Sequence, residues 1–159
     1  VSIALLRVDE RLVHGQVTVG WGMRLSPSRY VAVDDALART DWEQDLFRLG
    51  VPSEATVEFV DVEEARARLV EWEAAGEATI ILTRDLDHML RLSRGGLLTG
   101  QEVNLGGIHH GPGRSRVLPY LFLSAEDRDR IRKLLDEGVR VAAQDLPDAP
   151  RTRAERLLE

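Results

Sequence analysis

Along this chain apolar residues fall into short runs closed off by charge, and between the runs they recur every three or four positions. Residues 2–8 are mostly apolar and lead into Asp9. Residues 29–33 form a second run, ending at Asp34-Asp35, and residues 55–60 a third. The fourth, 77–83, contains Thr79-Ile80-Ile81-Leu82 and reads as a buried strand, because β-branched side chains suit a pleated sheet. Runs at 101–105, 116–123 and 139–143 bring the expected strands to seven.

The intervening segments carry helix signals. After residue 14 a helix begins, with Val17, Trp21 and Leu25 four apart on one face. Thr40-Asp41-Trp42-Glu43 has the pattern of a capping box, Gly50 and Pro52 end the helix it opens, and Trp42, Leu46 and Leu49 supply its apolar face. The same periodicity runs through Val62, Ala65, Leu69 and Trp72 until Gly76, and through Ile131, Leu134 and Leu135 until Gly138. A weaker helix is expected over 85–94, and a short one over 152–158 with Thr152 and Glu155 as its box. Repeated strand–helix–strand order implies one α/β domain, a mainly parallel seven-stranded sheet with helices on both faces. That domain is expected over 1–147, with 148–159 as a short tail that can be helical.

Composition narrows the chemistry. The 159 residues suit one domain with a real core, and 43% hydrophobic with 30% charged residues is a soluble profile. No apolar run reaches the roughly 18 residues of a membrane span. The start, Val1-Ser2-Ile3-Ala4-Leu5-Leu6, has no basic region before it and is read as strand rather than leader; a cytoplasmic location is expected. There is no cysteine, so disulfides and thiolate chemistry are excluded. A net charge of −6 argues against broad attraction to nucleic acid.

The candidate chemistry lies where the first strand ends, since ligands of open α/β sheets sit beyond the strands' carboxyl ends. Within six residues Asp9, Arg11 and His14 follow that strand. Neutral imidazole is a good nucleophile near physiological pH. An arginine fork suits phosphate oxygens, a helix start offers N–H donors, and Gly15 allows close backbone approach. Yet a lone histidine after a strand is more often structural or merely exposed. Chemistry alone leaves phosphocarrier, general base and metal ligand open.

The stretch Arg7-Val8-Asp9-Glu10-Arg11-Leu12-Val13-His14-Gly15-Gln16-Val17, followed by Trp21, resembles the signature of the IIB components of the mannose-fructose-sorbose class of sugar phosphotransferase systems. The acidic pair Asp34-Asp35, the turn Asn104-Leu105-Gly106-Gly107 and the closing helix and strand continue the likeness over about residues 2–147. The resemblance implies a central, mainly parallel seven-stranded sheet. It implies that His14 accepts a phosphoryl group, on Nδ1 in that family, from a phosphohistidine of a IIA component. The group then passes to a sugar carried by the membrane IIC and IID components, with which the subunit associates. Arg11 matches the arginine that steadies the phosphate, and Asp9 the motif aspartate. Gly15 and Gln16 belong to the phosphate loop, while Asp34, Asp35 and Asn104 are expected at its rim. No metal and no cofactor are implied beyond the covalent phosphohistidine.

Other readings give different expectations. A metal-dependent hydrolase would gather His14, Asp34, Asp35, His109 and His110. A regulatory or metal-binding protein of the same fold would carry out no sugar phosphotransfer. Gly20-Trp21-Gly22 lacks the third glycine of a dinucleotide fingerprint. His109 and His110 are not part of the family pattern and are read as exposed loop. Trp21 and Trp42 are read as core aromatics. Arg7, Arg11 and Arg24 are expected to meet an acidic face of the IIA partner.

Overall fold

The computed structural model describes residues 2–159. Six strands are parallel and adjacent: β1 (Ile3–Val8), β2 (Arg29–Val33), β3 (Thr56–Val60), β4 (Thr79–Thr83), β5 (Glu102–Leu105) and, after an antiparallel hairpin of β6 (Ser115–Leu118) and β7 (Leu121–Leu123), β8 (Arg140–Ala143). A two-residue strand, β9 (Thr152–Arg153), runs antiparallel to β8. The sheet order is β3-β2-β4-β1-β5-β8-β9.

The sheet thus has seven strands, but one of them is not where the apolar runs placed it. The run at 116–123 does not enter the sheet. Pro119, with no N–H to donate, interrupts it, and the chain folds into the separate β6–β7 hairpin. The seventh place is taken by β9, from the segment expected to be a helix. The short helix α6 (Ala154–Leu157) follows it without a side-chain cap. Residues 148–159 are therefore bound into the fold: Ala154 and Leu157 are buried in the main core.

Two apolar cores lie on opposite faces of the sheet. One holds α3 (Val62–Ala74), α4 (Leu86–Ser93), α5 (Ala125–Asp136) and α6, with Trp72 fully buried. Their starts obey local chemistry. Asp61 accepts from the N–H of Glu64, Asp85 from that of His88, and Ser124 with Asp127 completes a capping box. The smaller core joins Leu12, Val13, Val17, Tyr30 and Leu37 beneath α1 (Gly22–Leu25) and α2 (Asp41–Arg48).

Two helices of that second face depart from expectation. The first begins as a π-helical turn, Gln16–Trp21, before α1. In α2 the Thr40 side chain makes no cap; its hydroxyl donates to the carbonyl of Ala36 instead. The predicted apolar face of α2 points to solvent: Trp42, Leu46 and Leu49 are exposed, while Gln44 and Phe47 turn inward. Trp21 is buried as expected; Trp42 is not a core aromatic.

Chain direction sets the site. From β1 the chain leaves across one face towards β2, and from β5 it leaves the other way towards β8. Neighbouring strands whose connections diverge leave a crevice at their carboxyl ends. The loops carrying His14 and Gly106-Gly107 meet there.

Candidate functional site

Arg7, the penultimate residue of β1, points to the less covered face and is fully buried. One Nη donates to Asn104 Oδ1 and to the carbonyl of Gln144 at 2.9 Å. The other donates to Asp9 Oδ2 at 3.2 Å and to the carbonyl of Asp145 at 3.1 Å. Its guanidinium carbon lies 5.4 Å from the centre of the Trp21 ring. Burial lowers its pKa, and the neighbouring Asp9 charge works against that shift. Arg7 therefore supports the site from beneath and has no surface with which to meet a partner. Of the three arginines expected there, Arg11 and Arg24 keep exposure, and Arg24 is paired with Asp148 at 2.5 Å.

The Asn104-Leu105-Gly106-Gly107 turn exists to admit arginines. A Cβ on Gly106 would overlap the Arg7 guanidinium, and one on Gly107 would lie 3.0 Å from an Arg11 Nη. Neither glycine could become alanine without moving a guanidinium, while Asn104 fastens the first of them.

Asp9 is the hub. Its Oδ1 accepts from the backbone N–H and the Nε of Arg11, both at 3.1 Å. Its Oδ2 accepts from Arg7, from Arg11 and from the N–H of Gly107, each at 3.2 Å. Nε2 of His14 stands 3.2 Å from the same oxygen, too far off axis for an aligned hydrogen bond. Burial pushes the carboxyl of Asp9 up, but His14, Arg11 and Arg7 together outweigh burial and hold it well below the usual range.

Leu12 has φ of 53° and is fully buried. This left-handed turn, which costs a non-glycine residue about 1–2 kcal/mol, sends Leu12 into the second core while His14 stays at the surface. The His14 carbonyl accepts from the N–H of Val17 and of Thr18. The Gln16 N–H donates to His14 Nδ1 at 3.3 Å, and the Gln16 side-chain oxygen accepts from Arg11 at 2.6 Å. The first-turn donors thus converge on His14 itself. The side chain is 17% exposed, and its Nε2 is buried. Gly15 has an ordinary φ of −54°, and a Cβ there would meet nothing within 4 Å.

The expected rim divides. Asn104 joins the centre through Arg7. Asp34 and Asp35, at the end of β2, belong to a separate network. Asp34 accepts from the N–H of Leu37 and faces Arg84 and His88 at 3.6 Å. Asp35 accepts from Arg91 and from the N–H of Val62. His88, which sequence reasoning passed over, is held by Asp85 at 2.7 Å and takes the Asp35 N–H at Nε2. The five residues of the metal reading do not gather. Among the described residues, the metal-type ligands that come together are those of Asp85, Asp87 and His88.

Glu10 was also missed. Its carboxylate accepts from Arg114 at 2.6 Å and from the N–H of His109 at 3.1 Å, and lies 3.2 Å from His109 Nδ1. The loop of His109 and His110 is thereby fastened beside the Asp9–Arg11 turn, and His110 packs edge-on against Phe122. Nothing in the spacing marks a pairing across 104 positions.

The description "PTS system sorbose subfamily IIB component" belongs to the family model that matches residues 3–159. The N-acetylgalactosamine-specific phosphotransferase enzyme IIB component 1 of Escherichia coli K12 is 29% identical, over 92% of each chain. The crystal structure of the IIBSor domain of the Klebsiella pneumoniae sorbose permease superposes with a TM-score of 0.87 at 25% identity, covering 98% of this chain and 95% of that one. A mannose-specific EIIAB component of Escherichia coli K12 is 27% identical over 95% of this chain, which spans 46% of that longer protein.

Proposed function

The chain belongs to the sorbose-subfamily IIB components of the sugar phosphotransferase system, and from that premise we propose that His14 is its phosphoryl acceptor, through Nδ1. Phosphoryl transfer in sugar uptake is the work of this family, and the matched EIIAB protein joins a IIA to a IIB component in one chain. The observation that carries the assignment is the orientation of one ring: Nε2 is turned to the buried Asp9 carboxylate, and Nδ1 faces away from it with its lone pair towards the Gln16 N–H.

In the first step the Nδ1 lone pair attacks phosphorus of a phosphohistidine on the IIA component. The donor's P–N bond breaks as a new P–N bond forms in line. The ring keeps its proton on Nε2 and becomes cationic as that bond forms. Asp9, ionised because the guanidinium groups of Arg11 and Arg7 favour its charged form, balances that charge. Arg11, locked by Asp9 and Gln16, lies beside the arriving oxygens, and the Gln16 N–H is placed to turn from Nδ1 to one of them. The open space at Gly15 admits the group. In the second step a sugar hydroxyl oxygen, presented by the IIC and IID membrane components, attacks phosphorus. The P–N bond to His14 breaks, neutral imidazole leaves and the hydroxyl proton is released. The transfer calls for no metal and no nucleotide on this subunit, and a cytoplasmic face of the membrane is where it would take place. Among the described residues no helix is long and apolar enough to cross a membrane.

The test is phosphorylation by phosphoenolpyruvate, the general phosphotransferase proteins and a cognate IIA component, read by intact mass at neutral pH. One acid-labile phosphoryl group on the wild type and none on His14→Ala is expected. A phosphoryl group that persists in His14→Ala, or none on the wild type with a competent IIA, overturns the assignment.

A further inference from the structure

The amphipathicity of α2 is inverted. At 100° per residue, Trp42, Leu46 and Leu49 fall within an arc of about 60°, and they are 67%, 58% and 83% exposed. Gln44 and Phe47, on the opposite side, are the residues that pack on the sheet. Helix α2 therefore holds to its own core with one polar and one aromatic side chain, and presents to water the three large apolar side chains that its sequence pattern would send inside. A fold gains nothing from that arrangement, and contiguous exposed apolar surface of this kind marks an interaction site.

The stripe does not stand alone. Its Leu49 end leads into Gly50, where a Cβ would lie 3.9 Å from the carbonyl of Val13, the residue before His14. Across the following loop a cleft of about 560 Å³ joins Pro52 and Ala55 to Val19 and Met23, which come after His14 on the π-helical turn and α1. Val19 is 60% and Met23 77% exposed. Exposed apolar side chains thus lie on both elements that flank the loop of His14, α2 and the π-helical turn with α1, and the cleft between them also carries Thr18, Ser26, Ser28 and Glu54.

We infer that this surface is the docking face for the protein that delivers the phosphoryl group, the IIA component, and that the interface is centred on apolar contact rather than on the arginines near His14. The inference rests on the phosphocarrier reading above. A donor histidine can reach His14 only if the partner covers the surface around it. A standard interface buries about 800 Å² per partner, a disc of about 16 Å radius. The C-terminal end of α2 abuts the loop of His14, because a Cβ on Gly50 would lie 3.9 Å from the carbonyl of Val13. Exposed tryptophan and methionine suit an interface that must form and release, since they bury much area without fixed charge pairs. Of the arginines expected to make that contact, Arg7 is buried, Arg11 is held by Asp9 and Gln16, and Arg24 pairs with Asp148 at the surface.

The experiment measures phosphoryl transfer from phosphorylated IIA component to wild type, Trp42→Ala, Leu46→Glu and, as a control on the far core's outer surface, Val70→Glu, itself 78% exposed in the wild type. Trp42→Ala and Leu46→Glu are expected to raise the KM for phospho-IIA about tenfold or more, with kcat at saturation, urea midpoint and the site of phosphorylation unchanged, while Val70→Glu behaves as wild type. A phosphorylated wild type with unaltered KM in both stripe variants overturns this inference and leaves the function standing. A wild type that takes no phosphate removes the function and this inference with it. Sedimentation that shows a wild-type dimer broken by the stripe variants at unchanged KM assigns the face to a second copy. Unchanged KM with sugar uptake lost in vesicles bearing the IIC and IID components assigns it to the membrane partner. Either of these last two results overturns the proposal.

Discussion

Asp9 is the residue on which the site depends most. It gathers two guanidinium groups, the Gly107 N–H and the His14 ring around two buried oxygens. Because its folded pKa lies below the ordinary 3.8, its stabilisation is fully present above that value and is lost as pH falls towards the folded pKa. Asp9→Asn is expected to cost about 3 kcal/mol at pH 7, because buried Arg7 loses the carboxylate it is paired with. The gap to wild type should narrow below about pH 4, as measured by urea unfolding across pH. A gap that stays constant down to pH 2 would show that geometry rather than charge is what Asp9 supplies. Arg7 shows how a residue can be read in the right motif and given the wrong place. Its position at the end of a strand is plain in the sequence. That it faces inward beneath Asn104 and Trp21, where glycines at 106 and 107 make room, depends on chain nearly a hundred residues away.

At the scale of elements, apolar periodicity located α3 and α5 and a weaker pattern α4, and their N-terminal carboxylates and hydroxyls bond within their own first turns. Such signals are local. They miss α2's orientation because an apolar stripe identifies a face but not what covers it. They also miss the network binding the ends of β2 and β4 to α4. There the bond to Asp85 raises the pKa of His88 above 6.5, with partial burial opposing it. A raised folded pKa means stabilisation present below 6.5 and lost as pH climbs through the folded value. His88→Gln should therefore be less stable than wild type by about 1 kcal/mol at pH 6, a deficit that shrinks towards pH 9. Thermal unfolding at the two pH values checks this, and an equal deficit at both would mean that packing alone is responsible.

For the whole molecule, the sheet count of seven agrees with the apolar runs while its membership does not. A strand of two residues, too short to announce itself, closes the edge at β8 by antiparallel pairing. Behind it Ala154 and Leu157 complete the main core. A chain ending at residue 147 is thus expected to lose about 3 kcal/mol or more, the scale of removing a buried leucine, and to expose apolar surface around β8. Unfolding midpoints of the two lengths decide it; equal midpoints would reduce 148–159 to an appendage. The segment is tied to the site, since the carbonyls of Gln144 and Asp145 hold Arg7 and Trp21 and the Gln144 side chain donates to the carbonyl of Ala149. Loss of the end should therefore be felt at the centre.

Local order carried much of this protein openly. Alternating strand and helix patterns define the α/β class, and eleven consecutive residues around His14 carry the family likeness, because those interactions lie within a few residues of one another. Tertiary packing alone settled which arginine is buried, which nitrogen of His14 faces Asp9, that Glu10 holds the loop of His109, and that α2 turns its apolar stripe to water. Each of these joins residues far apart in the chain or depends on which face is already covered, and neither condition leaves a mark on the sequence nearby.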